Sequence, residues 1–188
     1  MTKRFVTKAM TAALLNTLAS CMPAVTTDLP VSKPNQPEAA IAAQLYQGIN
    51  AYRREHGAID LQRHAALDHL AQQHSEFLRS NRGRFSIYGS NVSHYGFESR
   101  ALAAQQFYHM NQVGENVAST PSHGTATAAR LVSLWAHSPN HESNMRYGWT
   151  YTGIGVVEDR DGMVFATQMF SSYKAPMQRD MLNSLRVH

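Results

Sequence analysis

Cysteine is nearly missing from this chain: one residue, Cys21, in 188. A disulfide within the chain and a zinc site built on several cysteines are both excluded. Charge is sparse as well, with 16% Asp, Glu, Lys and Arg. The basic residues form no run that would make an electrostatic footprint, so no nucleic acid is expected as a partner. Common hydrolase signatures are missing too. There is no Gly-x-Ser-x-Gly elbow. His141-Glu142 begins a zinc-protease pattern, but the residue four after His141 is Met145 rather than a second histidine. The uncharged stretch 9–19 near the N-terminus is too short to span a bilayer. What is present is 43% apolar residues over a length that suits one domain.

The formal charge of +4 hints at an acidic partner until its origin is located. Lys3, Arg4 and Lys8 precede the uncharged stretch, and residues 1–20 hold no acid. Removing those three from seventeen basic residues leaves fourteen against thirteen acidic. The basicity is thus largely that of an export segment. Leu18-Ala19-Ser20-Cys21 resembles a bacterial lipobox, with Cys21 as the acylated first residue of the mature protein. Residues 1–20 are read as a lipoprotein signal peptide. Each buried lipid methylene contributes about 0.8 kcal/mol, so two or three acyl chains hold a protein at a membrane. In a cell with two membranes, Met22 after the cysteine resembles the outer-membrane class. Residues 21–37 carry four of the seven prolines and read as a tether reaching roughly 25–50 Å.

A folded domain is expected over 38–173, followed by a polar tail, 174–188. Ile41, Leu45, Ile49 and Tyr52 recur at helical spacing and predict a helix over 38–56, closed by Gly57. A second helix is predicted over 61–80, with His74 on its apolar stripe as a hydrogen-bonded core residue. His64, His69 and His74 are five apart and share no face as ligands would. Residues 81–95 read as a loop, 99–110 as a short helix and 112–118 as a strand. A helix over 125–137 should bury Leu131, Leu134 and Trp135 and stop at Pro139. Two strands, 151–157 and 163–170, are joined through a turn ending Asp161-Gly162. Consecutive strands in a hairpin favour an antiparallel sheet layered between helices.

Short polar segments lie beside these elements: Ser93-His94, Gly114-Glu115-Asn116, and Trp135 to Asn144 (WAHSPNHESN). With Asn50-x-x-Arg53, Tyr151 to Val156 and Thr167-Gln168-x-Phe170, they resemble, in order, the bacterial branch of the CAP superfamily (cysteine-rich secretory proteins, antigen 5 and pathogenesis-related proteins; SCP-like domains). The resemblance runs from Glu38 to about Ser172. It implies an α+β fold, a three-layer α-β-α sandwich with a central antiparallel sheet. It also implies a cleft in which His94 and His141 are the two histidines and Glu115 one carboxylate. Asn116, Ser138 and Asn144 would support that cleft. Some members bind a divalent cation such as zinc there, and others bind sterols or fatty acids. The position of the second acidic group is Ser138 here, so the four-residue set is incomplete. Glu142 is the available substitute.

Two functional readings follow. The first is a non-enzymatic, lipid-anchored envelope protein whose cleft takes a small apolar ligand or an envelope partner. The second is a metal-assisted hydrolase of peptide or cell-wall material, with Glu115 as general base. A third use of the same trio is purely structural, with Glu115 bonding the imidazoles and locking loops together. Phe85, Tyr88, Tyr95, Phe97, Tyr108, Tyr147, Trp149 and Tyr151 cluster around the same segments, as core or as the wall of a groove. The oligomeric state leaves no mark in the sequence.

Overall fold

The computed structural model describes residues 31–84 and 92–173. The signal segment, Cys21, part of the tether, Phe85, Tyr88 and the tail 174–188 lie outside the described residues.

The first helix, α1 (Gln36–Glu55), begins two residues before its expected start. The reason is a capping box: the Asn35 side chain accepts from the Glu38 N–H at 2.9 Å, and Glu38 accepts from the Asn35 N–H at 2.9 Å. Pro37 fits the first turn, where an N–H has no partner to lose. The second helix starts later than its apolar residues suggest. Leu61 is buried, but Asn50 grips its N–H and C=O at 2.9 and 3.1 Å and holds that backbone outside the helix. Gln62–Arg63 then form β1, and α2 runs over Ala65–Ser80.

Next come α3 (Phe97–Phe107) and β2 (Met110–Pro121), followed by a single 3-10 turn at Gly124–Ala126. In α4 (Thr127–Ala136), Leu131 and Trp135 are fully buried, whereas Leu134 is 40% exposed and falls outside the predicted apolar face. Pro139 does not only stop α4. It opens a further short helix, α5 (Pro139–Arg146), because the residue before a proline is pushed into extended backbone, as Ser138 is.

The hairpin strands β3 (Tyr151–Glu158) and β4 (Met163–Tyr173) complete a four-stranded sheet in the order β1-β3-β4-β2. β3, β4 and β2 pair antiparallel, and the two-residue β1 adds a parallel edge to β3. Alternation along β4 sends Val164, Ala166 and Phe170 to one core with Leu45, Ile49, Leu131, Trp135 and Met145 of α1, α4 and α5. Phe165 and Met169 face the other way, toward Leu67, Leu70 and Leu78 of α2. With both faces covered, the sheet is the middle layer of an α-β-α sandwich.

Beyond β1, the edge of β3 is closed by side chains instead of a strand. Asp68, Gln72 and Glu38 accept from the N–H groups of Ile154, Val156 and Glu158 at 2.8, 3.0 and 2.9 Å. Asp68 and Gln72 are one helical turn apart, about 6 Å, which matches two residues of strand. Close approach makes this possible. A Cβ on Gly153 or Gly155 would come within 2.0 or 2.3 Å of the α2 backbone at Leu67 and Ala71.

Candidate functional site

β2 lies at the other edge of the sheet, and the candidate site is built over it. Glu115 points to the same face as Val113 and Val117, toward α2 and α3. Asn116 points to the opposite face, where its amide donates to the His141 carbonyl of α5 at 3.0 Å. Asn144, one turn further along α5, donates to the Glu115 carbonyl at 3.2 Å and to the Asn116 side-chain oxygen at 2.9 Å. Its own carbonyl accepts from the Trp149 indole at 2.9 Å. The two asparagines thus fasten α5 to β2, meeting the hydrogen-bonding needs of an edge that pairs on one side only.

The turn into α3 supplies the rest. Gly96 caps the helix at φ +74°, in the left-handed region that glycine occupies without a steric penalty. That turn places His94 over Glu115, with Nδ1 and Oε1 2.9 Å apart. One turn into α3, Arg100 reaches back with a two-pronged grip: Nε donates to Glu115 Oε2 at 2.7 Å and Nη2 to Oε1 at 2.8 Å. Its Nη1 donates to the Tyr95 carbonyl at 3.0 Å, tying the turn to the same ion pair. The Glu115 side chain is 1% exposed, so its charge is neutralised within the fold.

His74 of α2 completes the group. It is buried, as its place on the apolar stripe predicts, and its Nε2 donates to the Ser93 carbonyl at 2.8 Å. Nε2 lies 3.9 Å from Glu115 Oε1, and Nδ1 has no partner among the described residues. Burial pulls the imidazole down from 6.5 to about 4, against the opposing pull of Glu115. His141 is held below the ordinary histidine range by burial first and by His94 second. The His94 and His141 ring centroids are 6.2 Å apart; His94 bonds Glu115 and has His141 as its neighbour. Phe77 stacks between His74 and Tyr95, at 5.8 and 5.5 Å, and Tyr95 is 70% exposed at the rim.

Two members of this group, Arg100 and His74, are not marked as site residues by the sequence motifs. Two others have different partners from those expected. Ser138 occupies the N-cap of α5 without a side-chain capping bond. Glu142, the substitute carboxylate, accepts from the Tyr52 hydroxyl at 3.1 Å and from Arg146 at 3.4 Å. It belongs to the α1–α5 contact.

A zinc ion with an open position usually takes three protein ligands. Here both Glu115 oxygens are engaged by a guanidinium, and His94 Nδ1 faces the same carboxylate, which leaves His94 Nε2 and the His141 ring. Among the described residues no group of three His, Cys, Asp or Glu side chains is arranged to hold a metal. The donor set does not fit a resident divalent cation. For general-base work by Glu115, access to water is restricted, because the side chain is 1% exposed and both oxygens accept from Arg100. The orienting role is intact: Glu115 faces His94 Nδ1 at 2.9 Å and fixes the orientation of that ring.

Residues 46–170 match the model of the cysteine-rich secretory protein family, CAP. A search of curated proteins found no match. Among solved structures, an outer surface protein of Borrelia burgdorferi is similar over 77% of this chain and all of its own length, at 19% identity and a TM-score of 0.58. A cysteine-rich secretory protein of Staphylococcus aureus is similar over 75% of this chain and 41% of its own, at 17% identity and a TM-score of 0.54. An extracellular SCP-domain protein of Bacillus anthracis covers 75% of this chain and 45% of its own length, at 24% identity and a TM-score of 0.53. The last two are thus matched over less than half their length. A family match across the sheet and the helices on both its faces makes this chain a member of the cysteine-rich secretory protein family, the CAP proteins.

Proposed function

We propose that this CAP domain works outside the cytoplasm as a non-enzymatic binding module, held at the cell envelope by a lipid on Cys21. Its ligand site is the cleft over Glu115, with the His94 and His141 imidazoles as the polar groups and Tyr95 as an aromatic wall. The observation that carries this reading is the grip of Arg100 on Glu115. A carboxylate committed to a guanidinium positions an imidazole well, but it neither holds a metal nor has ready access to water. What remains accessible is a pair of ring nitrogens beside an exposed aromatic ring. That surface suits a small ligand with one polar group and an apolar body.

The address rests on the basic N-terminus, the short apolar stretch and the lipobox. Its support from similar proteins is their naming as outer-surface or extracellular proteins of bacteria. Among the described residues no helix is long and apolar enough to cross a membrane.

Native mass spectrometry of protein prepared without chelator from its own envelope tests the binding role. The wild type should carry an organic ligand that the His94→Ala/His141→Ala variant has lost while remaining folded. Stoichiometric metal on the wild type, or identical spectra from the two proteins, would contradict the reading.

A further inference from the structure

Helix α3 presents Arg100 to the Glu115 carboxylate, yet its own hold on the domain is slight, because its buried residues are the two alanines Ala103 and Ala104. Phe107 continues the same face: it stands seven, four and three residues after Arg100, Ala103 and Ala104, the spacing that stacks side chains along one stripe of a helix. That stripe points inward, but Phe107 is 63% exposed. An aromatic ring at the end of a core-facing stripe is apolar surface for another segment to cover.

The surface continues beyond Phe107. Met110, three residues on, pairs with Tyr173, the last residue of β4. Tyr173 is 46% exposed, and its ring centroid lies 4.7 Å from that of Tyr151 and 6.0 Å from that of His64. Tyr108 and Tyr151 pack from partly buried positions against the cluster of Leu67, Leu70, Met110 and Met169. The end of the α2–α3 layer is thus aromatic from Phe107 to Tyr173.

We propose that the occupant of this surface is the chain's own C-terminal segment, residues 174–188. The segment leaves β4 at Tyr173, so it starts on the surface it covers. It is polar apart from Met177, Met181, Leu182 and Leu185, and 177, 181 and 185 recur every four residues, with Pro176 at the head of the run. That is the pattern of one apolar helical face behind an N-terminal proline. Reach is sufficient. Paired strand residues are about 5 Å apart and three residues of chain add at most about 11 Å, which puts Phe107 within about 16 Å of Tyr173. Four extended residues from Tyr173 to Met177 span up to about 14 Å, and a helix over 177–185 a further 12 Å or about that. Methionine suits the role, since its thioether packs well against aromatic rings. Docked in this way, the segment braces the C-terminal end of the helix that presents Arg100.

NMR of the full chain, labelled with carbon-13 at its methionine methyls, tests the proposal. Met177→Leu and Met181→Leu assign the two tail signals. The expected result is nuclear Overhauser contacts from both methyls to the Phe107 and Tyr173 rings. Met181→Asp with Leu185→Asp should abolish those contacts and speed amide exchange at Ala103 and Ala104 roughly tenfold, with the Ile154 and Val156 amides unchanged. The proposal is overturned if neither methyl contacts a ring, or if the contacts arise only between differently labelled copies in a mixed sample, which would make a second copy the occupant. It is equally overturned if they arise only on adding phosphatidylglycerol vesicles. Unchanged exchange at Ala103 and Ala104 in the doubly substituted chain would remove the bracing of α3.

Discussion

Removing the guanidinium at Arg100 would leave the Glu115 carboxylate buried and unpaired, a state that costs about 3–5 kcal/mol. Arg100→Ala should therefore lower the stability of the folded chain by about that amount in urea denaturation, while Arg100→Met with Glu115→Gln should recover a large part of it. If the single variant loses less than about 1 kcal/mol, the pair is not the centre of the site. His74 makes a separate prediction. Its folded value of about 4 lies below the unfolded 6.5, so the unfolded chain binds more protons between those limits. The stability due to neutral His74 is complete above about pH 6.5 and is lost as pH falls toward 4, by roughly 3 kcal/mol. Denaturation at a series of pH values should show a shallower acid slope in His74→Gln than in the wild type. These two residues also show where reading the sequence stops. His94, Glu115 and His141 stand out because each sits in a recognisable string. Arg100 is an isolated cation on a helix of weak apolar periodicity. Its partner is fifteen residues away, across a turn and a strand that must be placed before the pairing can be seen.

Helix α2 and strand β3 carry the clearest packing constraint. Their backbones touch through Gly153 and Gly155, so Gly155→Ala should cost about 3 kcal/mol or more, at or above the top of the usual overpacking range. Gly148→Ala, where no atom of the described residues lies within 4 Å of an added Cβ, should be nearly neutral. Equal thermal shifts for the two would refute the close contact. The same elements explain which parts of the fold were legible. The spacing of Ile41, Leu45 and Ile49 marks α1, and Asp-Gly marks the hairpin, because each signal is local. β1 is two polar residues whose strand character comes only from Tyr151 and Thr152 beside it. The start of α2 is displaced by Asn50, eleven residues before Leu61. α5 hides behind a proline that serves as a first helical residue.

The whole molecule is a sandwich whose two sheet edges are finished differently. The β3 edge is sealed by Asp68, Gln72 and Glu38, and the β2 edge by Asn144, His141 and the turn that carries His94. The β3 edge is sealed, whereas the β2 edge presents ring nitrogens. The proposed ligand site therefore lies at one edge of an otherwise covered sheet. The proposed tether makes a prediction for the chain as a whole: Cys21→Ser should move the protein from the membrane fraction to the soluble one, and retention at the membrane would refute the lipid anchor. Arg100 takes the place a metal would need at Glu115. The most direct measurement is the imidazole nitrogen NMR spectrum with and without one equivalent of zinc. With Arg100 on the carboxylate, the His94 and His141 signals should keep their positions when zinc is added. A concerted one-to-one shift of both rings on adding zinc would contradict it.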